Sequence, residues 1–127
     1  MNKAKELVKL RKKAFKLWSL KVRAGGACEL CGKKYKEINE KGKPTILQAH
    51  HIIGRENKNL AWDVLNGVCL CSNCHKFSRT SAHRGSIIFT DWFMKKYPDR
   101  YDYLLKNYMV EVEPTVEYMQ KQIEKLT

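Results

Sequence analysis

Two Cys-x-x-Cys pairs, Cys28–Cys31 and Cys71–Cys74, flank a long insert and constrain this chain more than any other feature. A two-residue spacer lets both sulfurs of a pair reach one ion, and four sulfurs at Zn–S distances of ~2.3 Å close a tetrahedral zinc site. With every position taken by thiolate, no position is left for water, so zinc held here is structural rather than catalytic. In a chain of 127 residues such a staple contributes on the order of 10 kcal/mol to folding. The competing readings are buried free thiols and a thioredoxin-like redox pair. The second is weakened because neither pair sits in a βαβ pattern.

The chain has five cysteines, an odd number. The charged start from Met1 to Lys5 is not followed by an apolar stretch of the kind a secretory signal needs. A disulfide framework is therefore not expected, and the expected location is the cytoplasm of the producing or host cell. Cys69 is the leftover thiol. It could replace Cys71 as a ligand, but Cys71 alone gives the two-residue spacing to Cys74, so Cys69 reads as a small buried hydrophobe.

Lys and Arg outnumber Asp and Glu by 25 to 13, a formal charge of +12. Such an excess favours polyanionic partners, because each neutralised phosphate releases condensed counterions. No run reaches the ~18 apolar residues of a membrane span, so no membrane partner is expected. A hydrophobic content of 43% with 30% charged residues describes an ordinary globule, and the length suits one domain over residues 1–127.

Residues 4–24 read as a basic amphipathic helix. Leu7, Leu10, Ala14, Leu17 and Trp18 form its apolar face, widened by Val8, Phe15 and Val22, and Gly25-Gly26 ends it. Lys5, Lys9, Lys12, Lys13 and Lys16 cover much of the remaining surface, either as a DNA-backbone contact or as a solvated face. Gly32 to Thr45 suits a loop or hairpin, Thr45 to Ile53 a short strand, Gly54 to Leu65 a loop and Gly67 to Cys71 a second strand. Ser72 is placed to cap a helix running through Ser78. In residues 86–127, Phe89, Trp92, Phe93 and Tyr97 recur at helical spacing, and Pro98-Asp99 stops and restarts the helix. Tyr101, Leu104, Leu105 and Tyr108 make a second apolar face. Pro114 opens a last helix striped by Val116, Met119, Ile123 and Leu126.

All four histidines fall between residues 50 and 83. In a regular strand His50 and His51 point to opposite faces, although a strand end can rotate one of them. His75 follows a zinc ligand directly and can be fixed by the zinc site while projecting toward the pair.

The run Cys28/Cys31, Ala49-His50-His51-Ile52, Asn66 and Leu70-Cys71-Ser72-Asn73-Cys74-His75 resembles the HNH endonucleases of the ββα-metal type in their zinc-bearing form. The likeness covers about residues 25–80. It implies an α+β fold: a small zinc-stapled, treble-clef-like ββα-metal core flanked by an N-terminal helix and C-terminal helices. It also implies a phosphodiester hydrolase acting on DNA, leaving 5′-phosphate and 3′-hydroxyl ends. On this resemblance His51 is the general base and Asn66 orients the loop carrying it. His50 and His75 hold one catalytic divalent cation, which contacts the scissile phosphate. Many relatives have Asp where this chain has His50, which shifts preference toward softer ions, so Mg²⁺ competes with Mn²⁺, Ni²⁺ or Zn²⁺.

His83 lies outside the family pattern, either a further ligand or phosphate contact or a surface-loop histidine. Arg55, Lys58, Lys76, Arg79 and Arg84 are candidate phosphate contacts, with plain solubility as the alternative. The stretch from Gly54-Arg55 through Trp62-Asp63 to Asn66, then Phe89 to Tyr97 with Lys95-Lys96-Tyr97, is similar to small phage HNH proteins, among them the NinG/Rap recombination group that acts on branched DNA. Two other function classes compete with the nuclease. One is a zinc-stapled DNA-binding module without catalysis, and the other an RNA-binding zinc ribbon, for which the aromatic triplet that stacks bases is lacking. Monomer and dimer are both compatible with the sequence.

Overall fold

The computed structural model describes residues 2–127. Helix α1, Lys3–Val22, starts where the Asn2 side chain accepts the Ala4 N–H at 2.7 Å, a side-chain N-cap. Its expected apolar face is the one that packs, with Ala14 and Trp18 fully buried, while Val8 is half exposed. The exit differs from the expected glycine stop. Arg23 caps the helix in right-handed geometry, its N–H and side chain both bonded to Ser19, and the left-handed residue is Gly26 three positions later.

Strands β1, Leu47–His51, and β2, Gly67–Cys71, form an antiparallel pair in which Leu47 faces Cys71 and His51 faces Gly67. The expected first strand, Thr45 to Ile53, is trimmed at both ends by competing hydrogen bonds. Thr45 is held by Glu37 and Lys36 in the preceding loop, while the Ile53 N–H turns to the Asn66 side chain. The 32–45 segment is hairpin-like, with isolated bridges Ala27–Lys34 and Ile38–Pro44.

Beyond β2 the expected capped helix is a single wide π turn, Asn73–Phe77. Ser72 does not cap it: its backbone is itself helical, at φ −54° and ψ −40°, and its side chain makes no cap bond. A short 3₁₀ turn, Val64–Asn66, capped by the Asp63 carboxylate, leads into β2.

Helices α2, Ser86–Lys96, and α3, Pro98–Asn107, meet at Tyr97-Pro98 as expected. Of the apolar face expected on α3, Leu104 is buried but Leu105 and Tyr108 are exposed. Helix α4, Val116–Leu126, is opened by Thr115 and not by Pro114. The Thr115 hydroxyl accepts the Tyr118 N–H at 3.1 Å, a bond that proline cannot offer. No helix among the described residues is long and apolar enough to cross a membrane.

Two apolar clusters result. One places Val68, Leu70 and Leu60 against Phe89, Phe93 and Leu104, and the other places Ala14 and Trp18 with Ala61, Trp62, Met119 and Leu126. Asp63 links them: its carbonyl accepts the Trp18 indole N–H at 2.8 Å and its carboxylate accepts the Tyr103 hydroxyl. Helix α1 rests directly on the start of β2, where a side chain at Gly67 would overlap Val22 and the Trp18 ring. Gly67→Ala is therefore expected to lower unfolding stability by about 1–3 kcal/mol, read from urea or thermal denaturation. An unchanged midpoint would mean that α1 does not sit on the hairpin this closely.

Candidate active site and zinc centre

The first knuckle is a tight turn. Cys31 N–H points at Cys28 Sγ at 3.5 Å, Gly32 N–H bonds Cys28 O at 2.9 Å, and Gly32 takes φ +82°, a conformation glycine adopts without strain. The second pair comes from the end of β2 and the π turn. The four sulfurs lie within 4.8 Å of one another, with Cys31 and Cys71 at 3.7 Å. Tetrahedral zinc with bonds of ~2.3 Å places its sulfurs ~3.8 Å apart, so the cluster fits the ion. The Cys74 thiol donates to Cys28, which holds the Cys28 thiol well below its ordinary range and pushes Cys74 up.

Cys69 stays outside the cluster. It is buried in the core, and burial raises its thiol to about 11. Glu29, which sequence reasoning passed over, locks the knuckle in place. Its carboxylate accepts the Cys69 N–H at 2.6 Å and the Tyr97 hydroxyl, and its carbonyl accepts Lys96 Nζ at 2.8 Å.

Strand alternation and the strand end together place the histidines. Gln48 and His50 share one face of β1, facing the π turn. His75 Nδ1 meets Gln48 Oε1 at 2.7 Å, and because the amide oxygen only accepts, the proton sits on Nδ1. This leaves His75 Nε2 with its lone pair, 3.0 Å from His83 Nε2. The chain returns His83 to this point through Ala82 N–H to Cys74 O at 2.9 Å and His83 N–H to His75 O at 3.1 Å. One nitrogen from each of His50, His75 and His83 lies within 4.8 Å of the others. Two imidazoles bound at right angles to one ion at ~2.1 Å bring their nitrogens ~3.0 Å apart, so this cluster also fits a cation. Burial first, then neighbouring imidazole charge, lowers His50 to about 3 and His75 to about 4. Both rings are therefore neutral, the form that ligates.

His51 turns the other way. Its ring stacks on Trp18 at 3.8 Å and 12°, with Phe15 edge-on at 5.7 Å. Its Nε2 lies 2.8 Å from the Ala61 carbonyl oxygen. A carbonyl only accepts, so Nε2 carries the proton and Nδ1 is the basic atom. Burial lowers the His51 pKa, which keeps the ring neutral at neutral pH. Asn66, fully buried, accepts the Ile53 N–H at 2.7 Å and donates to the carbonyls of Ile53 and Leu60 at 2.9 and 3.1 Å. It therefore braces both the backbone just after His51 and the backbone that supplies the Ala61 carbonyl.

One cleft of about 510 Å³ unites the two faces, lined by His50, His51, His75 and His83 with Trp18 and Arg55 among its walls. Of the candidate phosphate contacts, Arg55 and Lys76 line it. Lys58 Nζ is bonded to Arg55 O at 2.9 Å, and Arg84 to Phe77 O at 2.8 Å. Arg79 is exposed and lies outside the lining. Trp18, Phe15 and Gln48 were not foreseen at the site. The two aromatics carry the same helical spacing as core residues, whereas Gln48, two residues before His50, was legible from strand alternation alone.

Residues 28–78 match the family model described as HNH endonuclease. The matched segment carries the four-cysteine cluster, which is arranged like a zinc site, in the α+β setting that the sequence led us to expect. A match to this family points to a nuclease or DNA-binding function on nucleic acid. No curated protein and no solved structure matches the chain. Helix α1 and His83 fall outside the matched segment.

Metal analysis of the purified protein is expected to find tightly held zinc that Cys71→Ser or Cys74→Ser releases, with loss of cooperative unfolding, while Cys69→Ala retains it. Zinc retained by Cys74→Ser would contradict the assignment of the four thiolates.

Proposed function

We propose that the protein is a metal-dependent HNH endonuclease that hydrolyses phosphodiester bonds in DNA. The observation that carries this reading is the cleft itself, which joins a histidine with a free basic nitrogen to three imidazoles converging on one point. In this reading His51 Nδ1 accepts the proton of the attacking water, with Nε2–H held by Ala61 O so that the ring presents the correct tautomer. Trp18 fixes the ring plane by stacking, and Asn66 holds the loop. His50, His75 and His83 would hold a divalent cation, which when bound supplies Lewis-acid stabilisation of the scissile phosphate and the departing 3′ oxygen.

The all-imidazole set, with no carboxylate in the cluster, suits borderline ions such as Mn²⁺, Ni²⁺ or Zn²⁺ better than Mg²⁺, which prefers oxygen ligands. Gln48 acts behind the ligands: by accepting the hydrogen bond from His75 Nδ1–H it leaves the Nε2 lone pair for the centre. Arg55 and Lys76 stand where they can meet phosphate oxygens. The expected products carry 5′-phosphate and 3′-hydroxyl ends. Branched DNA, as in phage recombination, is one candidate substrate, and the four-way junction is its natural probe.

His51→Ala is expected to slow cutting of DNA by at least ~10²-fold while leaving DNA binding intact. Gln48→Ala should raise the Mn²⁺ concentration for half-maximal cutting by about 10–100-fold with kcat at saturating metal largely preserved. Assays on duplex, single-stranded and four-way-junction DNA with Mn²⁺, Ni²⁺, Zn²⁺ and Mg²⁺ check both. Binding without cutting under every condition would replace this reading with that of a non-catalytic zinc-stapled DNA-binding module.

A further inference from the structure

Helix α1 does more than cover the hairpin. Lys5, Lys9, Lys12, Lys13 and Lys16 are all exposed. At 3.6 residues per turn Lys5, Lys9, Lys12 and Lys16 fall within about one sixth of the helix circumference, opposite the buried Ala14 and Trp18. This stripe is about 16 Å long at 1.5 Å per residue, which matches roughly five phosphates along one strand of a duplex at 3.4 Å each. The ion pairs among the described residues are Lys33–Glu40 and Lys95–Asp91, so none engages these lysines.

The edge of α1 between the stripe and the core carries Ser19 and Phe15, and both line the cleft together with the buried Trp18. Arg11 lies on the same edge. Its Nε is buried and has no hydrogen-bond partner among the described residues. Burial, and after it the charges of Arg11 and Arg55, lower the Lys58 ammonium pKa, so three cations crowd one margin of the cleft with Glu56 as the acid that offsets them. An approaching phosphate relieves that repulsion.

We infer that the outer face of α1 is a docking rail for the backbone of the DNA duplex beside the cut, its lysines leading the strand past Arg11 and into the cleft. The inference rests on the nuclease reading for its geometry but not for its test. The rail lies outside the HNH segment, so it gives this chain a flank contact of its own. Because Phe15 and Ser19, on the edge of α1 next to the stripe, line the cleft that holds His51, duplex held along α1 runs along the cleft margin.

Fluorescence anisotropy with a labelled linear duplex, on zinc-loaded protein without added divalent ion, tests the rail without requiring cleavage. Changing Lys5, Lys9, Lys12 and Lys16 together to Gln is expected to weaken binding at least about tenfold and to reduce the slope of log K against log salt by roughly three to four. A matched variant, Lys41, Lys106, Lys121 and Lys125 to Gln, removes the same charge from exposed positions away from the cleft. It should change the slope by less than one. Equal losses in the two variants would reduce the effect to net charge and overturn the rail, as would unchanged binding in the first. If the first variant alone loses binding yet no metal supports cutting by wild type, the rail stands and the nuclease reading falls. If it cuts with an unchanged KM, the rail falls and the nuclease reading stands.

Discussion

Four sulfurs within 4.8 Å of one another tie the turn after α1 to the far end of β2 and to the π turn that carries His75. Nearly everything at the cleft depends on that tie. Cys74 immediately precedes His75, so fixing one sulfur fixes the backbone of the next residue. The carbonyls of Cys74 and His75 then receive the N–H groups of Ala82 and His83, which brings the second imidazole back over the first. Glu29 anchors the opposite side of the knuckle to β2 and α2, so the staple is held from both directions. For a core this small, zinc held by these four thiolates would be worth a large share of the folding free energy.

The second organising device is a strand that presents its histidines to two different surroundings. On one face of β1, Gln48 and His50 meet His75 and His83. At its end, His51 turns against Trp18 and takes the Ala61 carbonyl. In the proposed nuclease the separation matters because a ligand and a base make opposite demands. A ligand imidazole offers its lone pair to a cation, whereas a base must keep its lone pair for water. Asn66 holds the strand end just after His51: its carbonyl accepts the Ile52 N–H and its side chain accepts the Ile53 N–H. Trp18 adds burial, which keeps the ring neutral without placing another charge beside it.

Much of this was legible in the residues. The paired Cys-x-x-Cys spacing pointed to one four-sulfur site, the β-branched and apolar runs marked both strands, and the aromatic stripes located α2. The ends of elements were less legible, because each is set by a bond to a distant side chain. Asn66 shortens β1, Thr115 rather than Pro114 opens α4, and Arg23 ends α1 before the glycines. At the cleft, His83 illustrates the limit. No local spacing links it to His75, and only the backbone return after the π turn sets their nitrogens 3.0 Å apart. Trp18 and Phe15 were read as core, and Trp18 is core; its indole face meets His51 only because α1 lies across the hairpin at Gly67.

The central claim is that thiolates and imidazoles form two metal sites with different work. Titrating metal-free protein with Co²⁺, while recording the visible and near-ultraviolet spectrum and DNA cutting on the same samples, tests it directly. The account predicts a first equivalent that develops intense thiolate charge-transfer absorption without cutting. A second, weaker equivalent should then add no thiolate band and switch cutting on. Cutting that saturates with the first equivalent, or a second equivalent that binds at the histidines and leaves DNA intact, would contradict it.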